Sequence, residues 1–347
     1  MFEQVSEYYS ALSGWLIPFS RAMEDNGIDV NTALAECDIV PSVMADQESR
    51  LAADKFAQLV QYANNKLGRK DFAILVAKQF YPSMFHALGY AMMSSVSLHD
   101  ALERIARYKR VVSNTCTLNV EEVSSELRFS MNVATYEDSG RPVLDICLVE
   151  IFLGTIVTFS RELVGKQISP LSVHFASPAS AHDDEKLRAF FGCDIYYDAQ
   201  QHHMVFSREV ADKKLLVGNT LITQVHEKML DDLLSRIDRS DLIYLVKKKI
   251  YDALPMGAPS QNQVAQDLGM SLRNLQRKLG ERGTSYKELL ETTRKKLAIE
   301  YMQQHHLSFS EIGYLVGFSS VGNFNRAFKR WTNLTPGEYR QTELSPN

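Results

Sequence analysis

Two short segments near the C-terminus carry arginine and amide side chains at the spacing of one helix face. The outward positions are Arg273, Asn274, Gln276 and Arg277 in the first segment, and Asn323, Asn325 and Arg326 in the second. Arginine can form two parallel hydrogen bonds to guanine, and asparagine or glutamine can do the same to adenine. These side chains could therefore read base edges in the major groove of DNA. Gly322 stands where the first segment has Arg273, so we expect the second segment to specify fewer bases.

Polar and basic side chains beside both segments suit contacts to DNA phosphates. The predicted phosphate contacts are Ser271, Lys278 and Arg282 in the first segment, and Ser320, Lys329 and Arg330 in the second. Such contacts set the register of a protein on DNA and carry no sequence information. The alternative is an ordinary solvated helix face. The matching positions of Arg277 and Arg326 favour the DNA-binding interpretation for these two residues.

The two segments lie in a sequence repeat that supplies the helices to position them. Capping boxes begin the two copies, one formed by Ser260 with Gln263 and the other, 48 residues later, by Ser308 with Glu311. Each box starts a short helix that carries a small residue at the same place, Ala265 or Gly313. A small residue there would let another helix approach closely.

A glycine turn follows the first helix of each copy, at Gly269 and at Gly317, where a left-handed backbone can end the helix. We expect Ser271 and Ser319 to cap the second helices. A helix, a tight turn and a second helix describe a helix-turn-helix. A helix from about Ser285 to Gln304 would join the two units. Because B-DNA repeats about every 34 Å, such a rod could place both second helices in successive major grooves.

Charge is distributed unevenly along the chain. Residues 241–347 hold 15 lysine and arginine residues against 10 aspartate and glutamate residues, whereas residues 1–240 hold 23 against 32. A basic segment attached to an acidic one indicates that only the C-terminal part meets a polyanion. From charge alone, two ordinarily solvated surfaces remain the alternative.

Hydrophobic periodicity predicts an α+β N-terminal domain, mostly helical with a small sheet, followed by an all-α C-terminal domain of two helix-turn-helix units joined by a long helix. With 347 residues, the chain is long enough for two cores. The predicted divisions are 1–207 for a regulatory domain that binds an effector, 208–240 for a linker helix that could dimerise, and 241–342 for the DNA-binding domain.

Within the first domain, helical periodicity runs from Phe2 to about Ser113 and then gives way to a period of two. Helix start signals stand at Asn31, Asp54, Asp71 and Ser97. The alternation between Thr115 and Val133 predicts a hairpin. The elements expected after it are a helix from Pro142 to Leu163, a strand from Leu171 to Phe175, a helix from Asp183 to Phe191, and strands around Ile195 to Tyr197 and Met204 to Phe206.

Apolar residues recur along one side of a helix predicted from about Arg208 to Ile237. They are Leu216, Leu221, Val225, Met229, Leu233 and Ile237. Such a stripe needs a partner surface. Packing on its own domain is the commoner outcome, and packing on the same helix of a second chain is the alternative. The polar segment from Arg236 to Asp241 is expected to be the joint between the domains, and Leu254 to Pro259 a later break.

Metal, membrane and enzyme signatures are missing from the sequence. The cysteines at 37, 116, 147 and 193 lie far apart, which counts against an enzyme with a four-cysteine zinc site. The N-terminus has Glu3 and Glu7 and no lysine or arginine before Arg21, unlike a signal peptide. Adjacent histidines at 202–203 and 305–306 point in different directions, and hydrolase, P-loop, zincin and dinucleotide signatures are not found. We predict a cytoplasmic protein that is not an enzyme and has no cofactor, metal or membrane partner.

Three runs in the repeat are specific enough to indicate a family. They are Ile312-Gly313-x-x-Val316-Gly317-Phe318, Asn323-Phe324-Asn325-Arg326-Ala327-Phe328-Lys329-Arg330 and Thr335-Pro336-Gly337-Glu338-Tyr339-Arg340. Through them, residues 241–341 resemble the AraC/XylS transcription regulators. The resemblance implies seven helices that form two helix-turn-helix units on a connecting helix. It also implies binding to asymmetric or directly repeated promoter sites and, usually, activation through contact with RNA polymerase.

The first domain offers shorter matches, at Ser97-Leu98-x-x-Ala101-Leu102 and at Phe190-Phe191-Gly192-Cys193. With its order of elements, it resembles the mixed helical sensor domain of ornithine-utilisation and virulence regulators of this family rather than a sugar-binding cupin barrel. This resemblance implies a small-molecule effector of unknown identity. Residues that could line its pocket are His86, Tyr90, Arg107, Tyr108 and Arg110. A protein-interaction or dimerisation module without a ligand is the alternative.

Overall fold

A computed structural model describes residues 9–44, 49–136, 140–240, 242–304 and 306–342. The chain divides into two compact units, residues 1–235 and 236–347. Glu3, Glu7, His305 and Asp241, at which the predicted DNA-binding domain begins, lie outside the described residues. Among the described helices, none combines the length and the apolar character needed to cross a membrane.

The first unit is mostly helical. Its helices are α1 (Leu16–Glu24), α2 (Val30–Glu36), α3 (Ala53–Leu67), α4 (Phe72–Lys78), α5 (His86–Met93), α6 (Leu98–Val112), α7 (Ile146–Val164), α8 (Asp184–Phe191), α9 (Arg208–Ala211) and α10 (Thr220–Ser240). The boundary between the units falls inside α10. Ser97 caps α6 as predicted, since its hydroxyl accepts a hydrogen bond from N of Asp100 at 3.1 Å.

A five-stranded sheet accompanies these helices. Its strands are β3 (Cys116–Val123), β4 (Glu126–Val133), β5 (Ser172–His174), β6 (Asp194–Tyr196) and β7 (His202–Ser207), and a separate pair consists of β1 (Ser10–Leu12) and β2 (Arg50–Ala52). The sheet order is β3-β4-β7-β5-β6, with β5 parallel to β6 and the other neighbours antiparallel. Strands β3 and β4 form the predicted hairpin. Alternate residues of β4, Leu127, Phe129 and Met131, are fully buried, as their period of two predicted.

The core of the first unit lies where α1, α3, α4 and α7 meet. Phe19, Leu59 and Phe72 belong to one buried cluster there and are each at most 1% exposed. Helix α7 packs closely on α4, because a Cβ atom at Gly154 would lie 2.7 Å from Cβ of Ala77. Helix α7, with its long apolar run, is therefore largely buried in the core of this unit.

The second unit is entirely helical over its described residues. Its helices are α11 (Leu242–Ala253), α12 (Gln261–Asp267), α13 (Leu272–Gly280), α14 (Tyr286–Met302), α15 (Phe309–Leu315), α16 (Val321–Thr332) and α17 (Pro336–Thr342). A 3₁₀ turn at Leu254–Met256 follows α11, at the break that proline and glycine predicted. The predicted fold class, α+β followed by all-α, is confirmed.

Several local predictions failed in the first unit. Asp54 caps no helix, since α3 begins at Ala53, and the helix expected from Pro142 begins at Ile146. Asn31 does not start a helix: α2 begins one residue earlier, and Asp29 caps it by accepting a hydrogen bond from N of Thr32 at 2.8 Å. The pair β1–β2 was not predicted. The helix expected from Arg208 is interrupted between α9 and α10, because the connecting chain docks on the segment before α6, where N of Leu215 donates to O of Val96 at 2.9 Å.

Candidate nucleic-acid interface

The first helix-turn-helix consists of α12, α13 and the turn between them. The hydroxyl of Ser260 accepts from N of Gln263 at 3.2 Å, and Oε1 of Gln263 accepts from N of Ser260 at 3.0 Å, so the predicted capping box is confirmed. Gly269 follows with a φ of +67°, the left-handed conformation that ends a helix. The hydroxyl of Ser271 accepts from N of Asn274 at 3.2 Å. Ser271 is therefore the cap of α13, as predicted.

The second helix-turn-helix repeats this arrangement in α15 and α16. Ser308 and Glu311 form the predicted capping box, and the hydrogen bonds from Ser308 lower the pKa of the Glu311 carboxyl. Gly317 ends the first helix with a φ of +77°. The cap of α16 is Ser320 and not Ser319, since the Ser320 hydroxyl accepts the N–H of the residue three positions on, at 3.3 Å. The second turn is one residue longer than the first, and the cap moves with it.

In each helix-turn-helix, the two helices pack closely at the small residue that occupies the same place in both copies. Ala265 is fully buried, and a Cβ atom at Gly313 would lie 3.2 Å from Cβ of Phe324. The predicted close approach is thus present. The inward residues of the second helices are fully buried, namely Leu275 and Leu279 in α13, and Phe324 and Phe328 in α16. Their burial fixes which face of each helix points outward.

Arg294 ties the connecting helix α14 to the second turn. Its Nε donates to O of Val316 at 3.0 Å, and its Nη2 donates to O of Gly317 at 2.6 Å. The same guanidinium lies 4.3 Å from the ring centroid of Phe318, within range of a cation–π interaction. Arg294 therefore holds the turn before α16 against α14. Sequence reasoning missed it, because nothing in its local pattern marks a partner 22 residues away.

The outward faces of α13 and α16 carry the predicted base-reading side chains. Arg273, Gln276, Arg277, Asn323, Asn325 and Arg326 are exposed, and Asn274 is half-buried. Nη2 of Arg277 donates to Oδ1 of Asn274 at 3.0 Å, and Nη2 of Arg326 donates to Oδ1 of Asn323 at 2.7 Å. The same asparagine–arginine pair thus occupies the same turn of both reading helices.

The two faces differ at their ends. Arg277 also forms an ion pair with Glu281 in the first copy, whereas Arg330 occupies the matching position in the second. A Cβ atom at Gly322 would meet nothing within 4 Å, so the second face is open where the first carries Arg273. The second copy therefore presents more positive charge at its C-terminal end and fewer side chains at its N-terminal end.

The residues predicted to contact phosphates lie around these faces. Ser271, Ser320, Lys329 and Arg330 are exposed, and Lys278 and Arg282 are half-buried. Ser271 and Ser320 stand at helix N-termini, where backbone N–H groups favour anions. Arg330 already pairs with Glu291 of α14, which also accepts from Nε1 of Trp331 at 3.0 Å. For Arg330, a phosphate would therefore compete with an internal carboxylate.

Two family models match the chain, one over each part. A helix-turn-helix domain matches residues 264–342. The arabinose-binding domain of AraC transcription regulators, an N-terminal domain, matches residues 27–215. The chain belongs to the AraC family of transcription regulators. It is therefore a DNA-binding regulator with an N-terminal domain of the arabinose-binding type.

Individual AraC-type relatives are similar along most of the chain. The ornithine utilization regulator of Pseudomonas aeruginosa is 27% identical over 303 residues, which cover 87% of each chain. The regulator VirS of Mycobacterium tuberculosis is 24% identical over 326 residues, which cover 93% of this chain and 94% of that one. The crystal structure of CdpR from P. aeruginosa covers 95% of this chain with 16% identity and a TM-score of 0.47. The two matched domains occur in transcription regulators, and the two relatives found by sequence are transcription regulators, not enzymes.

The first unit of this AraC family member contains an apolar cavity. Its volume is about 90 Å³. Aromatic side chains form much of the wall, among them Trp15, Phe80 and Phe85, whose rings pack 5.0 to 6.3 Å apart. Buried apolar cavities in a regulatory domain are natural ligand sites.

The five residues named above as pocket candidates do not line this cavity. His86 and Tyr90 are exposed, and Arg110 is half-buried. Arg107 and Tyr108 both donate to Oδ1 of Asp231 in α10, at 3.2 and 2.9 Å. Burial, together with the bond to Asp231, raises the pKa of Tyr108 to about 12. Whether any of the five contacts a ligand therefore stays a prediction. Helix α6 lines the cavity with Ile105, Lys109 and Val112, and Lys109 lies between two of the five candidates in sequence.

The signal that could have found Lys109 is the phase of α6. Leu102, Ile105 and Val112 are buried residues of this helix, and Lys109 falls at the same helical spacing. A lysine on the apolar stripe of an amphipathic helix is unusual, because a buried ammonium loses its hydration. Among the described residues, no cluster of three or more histidine, cysteine, aspartate or glutamate side chains is arranged to hold a metal ion.

Proposed function

We propose that this AraC family regulator is an activator that works in the cytoplasm, and that a small molecule bound in its first unit changes its promoter binding or its recruitment of RNA polymerase. The observation that carries the DNA-binding part is the equivalent asparagine–arginine pair on the outward faces of α13 and α16. Base reading falls to Arg273, Asn274, Gln276 and Arg277 in one half of the site, and to Asn323, Asn325 and Arg326 in the other.

Phosphate contacts in this proposal come from Ser271, Lys278, Arg282, Ser320, Lys329 and Arg330. Helix-turn-helix proteins place the second helix in the major groove with its N-terminal residues on the bases. The exposed serines at the starts of α13 and α16 would then meet the backbone as each helix enters. The AraC-type relatives support promoter DNA as the partner, and the family resemblance supports contact with RNA polymerase.

The effector part of the proposal is supported by the cavity in the first unit and by its match to an arabinose-binding domain. A ligand changes an equilibrium only to the extent that it binds one state better than another. Helix α6, which lines the cavity through Lys109, also contacts α10 through Arg107 and Tyr108. A ligand that shifts α6 would therefore bias the helix that leads towards the DNA-binding unit.

A homodimer formed through α10 is a second proposal, and the exposed stripe on that helix favours it. Leu221, Val225 and Met229 are 74%, 63% and 52% exposed. The opposite side of α10 packs on the rest of the first unit. Thr223 is buried there, and Oε1 of Glu227 forms an ion pair with Nε of Arg104 at 2.8 Å. The part of the predicted stripe from Leu221 to Met229 is thus not the face that packs on the first unit. Leu216 lies before α10 begins, and Leu233 and Ile237 are half-buried. A second copy of the same helix would cover it through a self-complementary contact.

Genome-wide mapping of bound sites, together with transcription measured in cells with and without the protein, tests the regulatory proposal. We expect binding at a small number of promoters that share a bipartite motif, together with increased transcription of the adjacent genes. Loss of the protein that leaves transcription at every bound promoter unchanged or raised would contradict activation. A thermal-shift screen of small molecules on the purified full chain tests the effector part, since a ligand of the folded state raises its melting temperature.

A further inference from the structure

The cavity of the first unit is poorly suited to a sugar. A sugar ring needs many hydrogen-bond partners, and the polar groups among the described lining side chains are those of Lys109, Ser113, Thr115 and Thr155 and the indole N–H of Trp15. Oγ1 of Thr155 donates to O of Phe152 at 2.7 Å, and the hydroxyls of Ser113 and Thr115 are 2.9 Å apart. The hydroxyl groups are therefore already bonded within the protein, while the rest of the wall is apolar.

Lys109 is the charged side chain among these lining residues, and it is only 6% exposed. Its Nζ donates to O of Cys116 at 2.7 Å. An ammonium group has three N–H donors. Among the described residues, no carboxylate pairs with the ammonium group of Lys109. Burial lowers the pKa of Lys109, its contact with Cys116 partly offsets this, and the charges of Arg50 and Arg110 add to the lowering.

The neighbouring arginine Arg50 increases the positive potential at this end of α6. Its Nη1 donates to O of Val111 at 3.1 Å, and its Nη2 donates to O of Ser10 at 3.1 Å. These partners are neutral carbonyl groups, so they satisfy the hydrogen bonds of Arg50 without cancelling its charge. The end of the cavity beside Lys109 therefore favours an anion, whereas the aromatic wall around Phe80 and Phe85 favours an apolar group.

We propose that the cavity binds a carboxylic acid with an apolar body, whose carboxylate pairs with Nζ of Lys109 while the body lies against the aromatic wall. This inference rests on the proposed function, in which an effector occupies the first unit, and it specifies the chemical class of that effector. The ligand supplies the negative charge that the described residues around Lys109 do not.

Calorimetric titration of the full chain with carboxylates tests the proposal directly. The probes are straight-chain acids from hexanoate to hexadecanoate, used below their micelle concentrations, and phenylpropanoate, each compared with its methyl ester. We expect at least one acid to bind, and its ester to bind about ten-fold more weakly, since charge-assisted hydrogen bonds are roughly twice as strong as neutral ones. An ester that binds as tightly as its acid would overturn the role of the charge.

Lys109→Met removes the ammonium while keeping a similar length, and Lys109→Arg keeps the charge. We expect K109M to weaken binding of the acid about ten-fold and to change binding of the ester by less than about three-fold. The reason is that the acid loses its ion pair with the Lys109 ammonium group, whereas the ester has no such pair to lose. K109R should retain preference for the acid. If K109M does not fold, the wild-type comparison of acid with ester and the K109R titration still decide the matter.

The same experiment separates this inference from the broader proposal. Binding of a neutral or polar molecule that K109M leaves unchanged, with no acid bound, would overturn the carboxylate and leave an effector domain. Failure of every acid, ester and neutral compound to bind, while DNA binding persists, would overturn both. Arabinose serves as the polar control, and we expect it not to compete with the bound acid.

Discussion

Nη2 of Arg277 donates a hydrogen bond to Oδ1 of Asn274 at 3.0 Å, across one turn of the first reading helix. The second reading helix contains the same relationship at Arg326 and Asn323, with 2.7 Å between the two atoms. A side chain that is held by a neighbour loses less conformational freedom when it binds. The two arginines are therefore presented to DNA by matching supports in the two copies.

Arg277→Ala should relax base preference in one half of the operator. Loss of a bidentate contact to guanine costs roughly 1–3 kcal/mol at the base concerned. Affinities for a set of operators with single-base changes measure the effect. Lys296→Ala, a change at an exposed side chain of α14, is the control and should keep the wild-type profile. An unchanged profile in R277A would mean that α13 does not read the groove as we assign it.

Affinity for DNA should fall steeply with salt, because several lysine and arginine side chains displace counterions from phosphates. Lys329→Ala should weaken binding to all sequences about equally and reduce the slope of log affinity against log salt by about one. Filter binding or fluorescence anisotropy at a series of salt concentrations gives the slope. A flat dependence in the wild type would leave the predicted phosphate contacts without support.

Gly317→Ala should destabilise the second unit more than Gly269→Ala. Both glycines have positive φ, which costs a residue with a Cβ roughly 1–2 kcal/mol. A Cβ atom at Gly317 would also lie 2.6 Å from Cδ2 of Leu254, whereas one at Gly269 would meet nothing within 4 Å. Denaturant unfolding followed by Trp331 fluorescence in a Trp15→Phe background measures the second unit. Equal losses in the two variants would contradict the packing of the second turn on Leu254.

The first unit should lose stability as the pH falls from about 6.5 towards 4. Burial lowers the pKa of His174 and of His202 to about 4 in the folded protein, whereas an unfolded histidine titrates near 6.5. The unfolded state therefore binds more protons in this window, so the free energy of unfolding decreases as the pH decreases. We expect His174→Gln with His202→Gln to reduce this loss.

The measurement is urea unfolding at several pH values, followed by Trp15 fluorescence in a Trp331→Phe background. His306→Gln, at an exposed position of the second unit, is the control and should leave the pH dependence as it is. A double variant with the full wild-type loss between pH 6.5 and 4 would show that these two histidines do not remain neutral in the folded unit.

Leu221→Glu with Val225→Glu should convert a dimer into a monomer. Both side chains are exposed on α10, and two added carboxylates on each copy would face each other across a self-complementary contact. Sedimentation velocity over a range of protein concentrations reports the oligomeric state. Gln224→Glu, on the same helix but outside the stripe, is the matched control. A wild-type protein that stays monomeric at all concentrations would remove the basis for the dimer.

Local sequence signals predicted much of this fold. Serine caps with a glutamine or glutamate three residues later were sufficient to locate α12 and α15, and the alternation from Leu127 to Met131 located β4. These signals act within a few residues, so a single sequence contains them whole. The cap of α16 was placed at Ser319 instead of Ser320 because two adjacent serines offer the same chemistry, and only the length of the turn decides between them.

Features that depend on distant partners could not be predicted in this way. Oε1 of Glu150 lies 2.6 Å from Nδ1 of His182, and Nε2 of that ring lies 2.7 Å from the hydroxyl of Ser177. This buried chain connects α7 to a loop that is more than 25 residues away in sequence. The interruption between α9 and α10 likewise depends on docking against Val96. For the candidate effector site, the helical spacing of Lys109 predicts that it lies on the buried face of α6. That this face lines a cavity depends on distant residues, so the sequence did not predict it.

The central claim is that α13 and α16 read two separate parts of one operator, and selection of binding sites from random DNA by wild type, R277A and R326A tests it most directly. We expect a bipartite wild-type motif whose two parts lie about one helical turn, or 10 base pairs, apart. R277A should lose preference in one part only and R326A in the other part only. Variants that both lose preference at the same bases, or that both retain the complete wild-type motif, would contradict the claim.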